Sequence, residues 1–320
     1  MELRLFYRKF KQFGGFRLVQ AYYNKGLLSV AVWQFLLVLF RRKTLSQADS
    51  VLRQHVSPML REEFFPVMRR LDKSYSAQNF SHSRSNKVWF FWMQGIEKAP
   101  DVVKACLKSL YINLTDRKIV VLESSNISDF VDLPDYINDK HEKGIISHTK
   151  FSDILRLELL IKYGGTWIDS TVFCSDSQYP REMMDSDLFV FQRFRKGTKT
   201  FGGLSSWFIT SCTNNIILLI LRDMLYEYYK RYDCEVDYFI FHLFFCMIAE
   251  YHQKEIDNMP KYSYSYPLAL GSRLAEQYDA SWYEKLCSYT SFHKLTYRLD
   301  RKALCHGTYY DVLINANRDE

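Results

Sequence analysis

The sequence contains no CxxC pair and no Cys/His spacing of the zinc-site kind, so a structural zinc is not expected. Its seven cysteines are an odd number, and several sit inside apolar runs. That excludes a tidy disulfide framework and favours buried thiols in a reducing, cytoplasmic compartment. No apolar run reaches the roughly 20 residues needed to cross hydrocarbon. The candidate stretch, Gly26–Phe40 (GLLSVAVWQFLLVLF), starts too late for a secretory signal and has no small-residue cleavage site. A helix lying in the membrane interface, a helix packed on the domain and a short span are all compatible with it. Internal repeats and low-complexity tracts are absent.

A basic groove suited to nucleic acid is also missing. The net charge is +7, but residues 1–44 hold nine Lys or Arg against one acid, Glu2, and the remaining 276 residues sum to −1. The excess belongs to the N-terminal segment, which is also rich in rings (Phe6, Tyr7, Phe10, Phe13, Phe16). A basic, aromatic segment followed by Arg41-Arg42-Lys43 predicts attachment to an anionic membrane surface. A solvated tail would have little use for those rings. What the chain has in plenty is aromatic residues, 17% of the total. They suit flat-faced polar ligands such as sugars, and they equally suit a packed core.

Residues 1–83 read as a helical, basic, membrane-associating extension, with the polar stretch Ser74–Ser85 as a linker or ordered loop. Residues 84–320 read as an α/β domain. Lys87–Trp92 is a buried strand, a helix runs from Pro100 or Asp101 to about Asn113, and Lys118–Leu122 is a second strand. Together these form a βαβ unit and imply a parallel sheet. A helix is predicted from about Thr149 to Tyr163, N-capped by Ser147 or Thr149 and ended by Gly164-Gly165. Thr166–Ile168 is then a short strand, residues 187–193 and 205–210 are further strands, and residues 213–232 and 236–252 are helices.

The chemistry concentrates in Ser147–Cys174. Asp153 and Arg156 are three apart on one helix and share a face. The glycine turn leads through a short strand to Asp169, and open α/β sheets bind ligands beyond the carboxyl ends of their strands. A carboxylate there can hold a cation or sugar hydroxyls, and an arginine can neutralise a leaving diphosphate. The structural alternative is an intrahelical Asp153–Arg156 ion pair, with Asp169 as a turn cap. Trp207 fits a sugar-stacking residue or a core residue. Asp237 and His242 fit a base pair for an inverting route, or a helix cap and an ordinary histidine.

Three pieces in fixed order carry a resemblance: Ser152-Asp153-x-x-Arg156, Tyr163-Gly164-Gly165 and Trp167-Ile168-Asp169. With Trp92-Met93-Gln94-Gly95, Asp237–His242 and His293–Thr296, they resemble the capsular polysaccharide synthesis protein family over roughly residues 84–310. They are also similar to the wider DXD-containing sugar transferases that include yeast mannosyltransferases and clostridial glucosylating toxins. The resemblance implies a GT-A-like, Rossmann-type nucleotide-sugar domain with a helical N-terminal extension and helical C-terminal additions. It implies a retaining glycosyltransferase of bacterial capsule synthesis, and the basic terminus, the cysteines and the lack of a signal put it peripheral on the inner face of the plasma membrane. The donor is a nucleotide-diphosphate sugar (UDP-sugar favoured, GDP-sugar possible) and the acceptor a lipid-linked oligosaccharide. Asp153, Arg156 and Asp169 become the catalytic set. Trp92, Gln94, Gly95, Ser152, Gly164, Gly165, Trp167 and Thr171 become donor-binding residues.

The chain departs from the wider pattern at one place. Its motif reads Asp169-Ser170-Thr171, so the second acid, the usual metal ligand, is a neutral hydroxyl. A divalent cation (Mn²⁺ or Mg²⁺) would then rest on Asp169 with help from Asp176 or His306, or a lysine or arginine such as Lys294 would take its place. Two rival functions follow: a sugar-phosphate transferase, and a degenerate membrane-bound protein that binds a glycan or partner without turnover.

Overall fold

The computed structural model describes residues 2–193, 203–299 and 305–315. The chain divides into two compact units. One comprises residues 1–79, 132–157 and 216–252, and the other residues 80–131, 158–215 and 253–320.

The second unit holds the strands. Those among the described residues are β1 (Lys87–Phe91), β2 (Lys118–Leu122), β3 (Gly165–Ile168), β4 (Val172–Cys174), β5 (Leu188–Gln192), β6 (Leu204–Ser211) and β7 (Phe292–Lys294). Five form one sheet in the order β2-β1-β3-β6-β5. β1 pairs in parallel with β2 and with β3, whereas β6 runs antiparallel to both β3 and β5. The sheet is therefore mixed, not wholly parallel as the βαβ pattern alone suggested. The α/β class and the opening βαβ unit are as expected. Val88, Trp89 and Phe90 are all fully buried, as parallel strands covered on both faces must be. The helix Asp101–Asn113 lays Val103, Leu107 and Leu110 on Val88, Phe90, Ile168 and Phe208. Its other side, Val102 and Cys106, packs with Phe173, Leu295 and Leu313.

β4 and β7 make a separate antiparallel ribbon that the sequence does not announce. Three residues are too few to show an alternating pattern.

The first unit is helical: α1 (Glu2–Gln12), α2 (Phe16–Asn24), α3 (Leu28–Leu39) and α4 (Leu45–Ser76), with the later helices Ile216–Arg231 and Ile240–Tyr251. α4 starts at a capping box. Thr44 Oγ1 accepts from Gln47 N (3.3 Å), and Gln47 Oε1 accepts from Thr44 N (2.9 Å). Val56, Leu60, Phe64 and Met68, each four apart, form its buried stripe. The Phe64 ring lies 4.8 Å from that of Phe244 and 6.1 Å from that of Tyr228. The helix Ile216–Arg231 buries Ile217 through Leu221, as its apolar first half predicts.

Entry into β3 requires glycine. Gly164 has φ +65° and Gly165 φ +93°, and a Cβ on Gly165 would lie 2.4 Å from Lys87 O of the neighbouring strand. Gly165→Ala should therefore lower the unfolding free energy by about 3 kcal/mol or more, strain and clash acting together. Gly164→Ala, whose nearest contact would be 3.1 Å, should cost clearly less. Urea denaturation of the two variants checks this ranking.

Candidate active site

β1 and β3 are parallel, with Trp89 opposite Trp167, so their carboxyl ends share one edge of the sheet. Trp92–Gly95 leaves β1 at this edge as a tight turn, in which Gly95 N donates to Trp92 O (3.0 Å). Gly95 has φ +83°, and a Cβ there would lie 2.6 Å from Glu123 Oε2. Gln94 is exposed. Trp92 is half-buried with its ring edge-on to Tyr297 (5.5 Å). Its indole N–H is buried and has no hydrogen-bond acceptor among the described residues.

Asp169 ends β3 at the same edge. Its N–H continues the ladder to Trp207 O (2.8 Å), and its carbonyl accepts from Val172 N (2.9 Å), closing the Asp169-Ser170-Thr171 turn. Trp167, two residues earlier and on the same face, donates its indole N–H to Asp169 Oδ1 (3.0 Å). The ribbon supplies the other partner. Val172 pairs with Lys294, and Leu295 N donates to Thr171 O (2.7 Å). Lys294 Nζ thereby reaches Asp169 Oδ2 (2.8 Å) and Thr171 Oγ1 (2.6 Å). An ammonium sits between the remaining acid of the motif and the hydroxyl that replaces the other.

This decides how the residues suit a divalent cation. The donor set is one carboxylate and one hydroxyl, and a resident positive charge already bridges them. The two auxiliary candidates are engaged elsewhere. Asp176 Oδ1 accepts from Gln178 N (2.8 Å), and the exposed His306 pairs with Asp311 (2.8 Å). Among the described residues no three His, Cys, Asp or Glu side chains are grouped to hold a metal ion. These residues do not compose a divalent-cation site, because an ammonium repels a second cation at the same oxygens. Gly164 and Gly165 lie at the opposite, amino end of β3. They shape the entry to the strand rather than the edge that bears Asp169. Trp207 stacks on Phe191 (4.8 Å, 19° between planes) and packs against the core.

The other unit holds a second charged cluster on the helix His148–Tyr163. Ser147 is the N-cap, accepting from Lys150 N (3.4 Å). Asp153 is 5% exposed and stands between Arg156 Nη1 (2.7 Å) and Lys150 Nζ (3.5 Å), each one turn away. The intrahelical ion pair is thus real, but it is buried and three-membered, unlike a weak surface pair. Ser152 accepts from Arg156 Nη2 (3.2 Å). Arg156 lies over the Phe241 ring (5.7 Å), and Lys150 lies over the Tyr238 ring (4.4 Å) and donates to Tyr238 O.

Asp237 closes the turn that precedes the helix Ile240–Tyr251, rather than capping it. It accepts from Phe239 N (2.6 Å) and from Arg53 Nε at both oxygens (3.0 and 3.2 Å). His242 has a buried Nδ1 with no partner among the described residues, and burial holds its pKa down at about 4. Glu235, absent from the sequence reading, is 1% exposed and accepts from Ser147 Oγ (3.1 Å). Burial pushes its pKa up to about 7. Lys150 is likewise absent from the sequence reading, although its place one turn before Asp153 on the same face is a signal. Glu235 had no sequence signal.

The Glu235 carboxyl is favoured neutral in the fold, so its contribution is complete below its unfolded pKa of 4.5 and is lost as pH rises through about 7. The full loss is about 3 kcal/mol. His242 and His293, both held near 4 by burial, act in the opposite sense between about pH 4 and 6.5. Subtraction therefore isolates Glu235. The stability of wild type relative to Glu235→Gln should fall between pH 5 and 8, as read from urea midpoints, and a flat difference would contradict the assignment.

No curated protein matches this sequence. Among solved structures, the chain is similar to the PaToxG glycosyltransferase at 14% identity, over 63% of this chain and 81% of that one, with a TM-score of 0.36. The description "Capsular polysaccharide synthesis protein" matches residues 38–313. That span begins well before the resemblance read from the motifs and takes in α4 as well as β1 to β7. The chain belongs to the capsular polysaccharide synthesis protein family.

Proposed function

We propose that this protein is a glycosyltransferase that moves a sugar from a nucleotide-diphosphate donor to a glycan hydroxyl during capsule synthesis. The observation that carries the reading is Lys294 held between Asp169 and Thr171 at the carboxyl edge of β1 and β3, beside the Trp92–Gly95 turn. Negative charge grows on the diphosphate as the sugar leaves, and stabilising it is the main catalytic task. A fixed ammonium at the strand edge suits that task without a recruited ion. Asp169, oriented by Trp167 and Lys294, is left to meet donor hydroxyls, and the Trp92 N–H offers the nucleotide a hydrogen-bond donor.

The reading includes retention of anomeric configuration, with the departing phosphate taking the acceptor proton. No separate base is then needed, in keeping with Asp237 being held by Arg53 and the Phe239 N–H. UDP-sugars are the first donors to test and GDP-sugars the second. A lipid-linked oligosaccharide is the acceptor.

Lys294→Met should lower turnover by about 10²–10³-fold, the usual cost of losing one charge-stabilising group, with Lys294→Arg recovering part of it. Wild-type turnover should persist in EDTA. Full activity of Lys294→Met, or wild-type activity abolished by EDTA and restored by Mn²⁺, would sink the assignment. Donors that bind should raise the melting temperature. Stabilisation without nucleotide release would identify a binding protein instead, and a phosphate carried into the product a sugar-phosphate transferase.

A further inference from the structure

Helix α3 carries much of its apolar surface outward. Val32, Trp33, Leu39 and the following Phe40 are 47%, 60%, 38% and 69% exposed. With Leu36, the spacing puts Val32, Trp33 and Phe40 on one outward stripe. The inward face contains Gln34, which is 5% exposed and accepts from Lys43 Nζ (3.1 Å). A helix on a water-facing surface normally shows the reverse arrangement. The helix is nevertheless anchored. Phe35 packs on Phe6 of α1 at 4.5 Å, and Val38 joins Leu45 and Ala48 in a small core. The outward face is therefore a surface of a folded element.

Cations flank the stripe. Arg41, with φ +54°, ends the helical run, and Arg41 and Arg42 are both exposed. Trp33, Leu36, Leu37, Phe40 and Arg42 line one recess of about 400 Å³. Lys11 of α1 and Arg17 of α2 are exposed too. Lys9 and Lys25 are instead tied to Asp49 and Glu63, both at 2.6 Å.

We propose that this face docks on an anionic lipid bilayer. The α3 stripe enters the boundary between headgroups and acyl chains, and Arg41 and Arg42 pair with lipid phosphates. The helix is 12 residues long, about 18 Å, against about 30 Å of hydrocarbon. No described helix is long and apolar enough to cross a membrane, so α3 lies in the interface plane. A second copy of the chain is a poor occupant. A two-fold contact through this face would set one strongly basic segment against another.

The test is sedimentation of the full chain with vesicles of phosphatidylcholine, alone or mixed with phosphatidylglycerol. The protein should pellet with the anionic vesicles only, and less as salt is raised from about 0.1 to 0.5 M. Trp33→Ser/Phe40→Ser should weaken binding at least about tenfold, and Arg41→Gln/Arg42→Gln about thirtyfold. All four positions are exposed, so melting temperatures should not move. The proposal is overturned if wild type ignores anionic vesicles or if the variants pellet equally. A wild-type dimer in sedimentation velocity that the aromatic pair abolishes would also overturn it, by showing a second copy on the face. Donor stabilisation in vesicle-free samples is read in parallel and is independent of these outcomes, so failure here is separable from failure of the sugar-transfer reading.

Discussion

Everything at the candidate site hangs on how β3 is seated. This strand is four residues long and wholly buried, with parallel β1 on one side and antiparallel β6 on the other. Its first residue has no room for a side chain against Lys87 O, and the Trp89 indole donates to Gly164 O (2.9 Å) to hold the turn before it. With the entry fixed, alternation along the strand fixes the exit. Trp167 and Asp169 fall on one face, and the acid emerges level with the turn after β1. A slip of one residue would turn Asp169 to the other face.

The two charged clusters show different ways of keeping ions in a protein. Lys294 and Asp169 are each about a quarter exposed, so water shares the cost of their charges and the pair can take part in binding. Asp153 with Lys150 and Arg156 is almost fully withdrawn from water. There each charge depends on the others, and a lone survivor would be costly. Aromatic faces supplement the arrangement, since Phe241 and Tyr238 lie under the two cations.

The sequence disclosed the regular parts well. Apolar runs marked β1, β2 and β5 within a residue or two, and the glycine pair marked the junction before β3. The Asp153–Arg156 spacing marked a shared helix face, and Asp169 was placed correctly at a strand end. What it concealed is long-range. Lys294 is 125 residues from Asp169 and reaches it only through the β4–β7 ribbon, whose strands are too short to leave a pattern. Glu235 sits in an irregular segment where no periodicity applies, and its state comes from burial by distant residues. The antiparallel course of β6 was equally invisible, because strand direction is not written in composition. Asp176 and His306 have the residue types of metal ligands, yet both serve local turns.

The ammonium at the strand edge differs in kind from a bound ion. It is tethered to the backbone through four methylenes, so it arrives with translation at a stoichiometry of one per chain. It cannot be dialysed away, exchanged for a neighbouring element or starved out by the medium. In return it is exposed to chemistry that a metal escapes, because an acyl group on Nζ would erase the charge while leaving Asp169 and Thr171 in place.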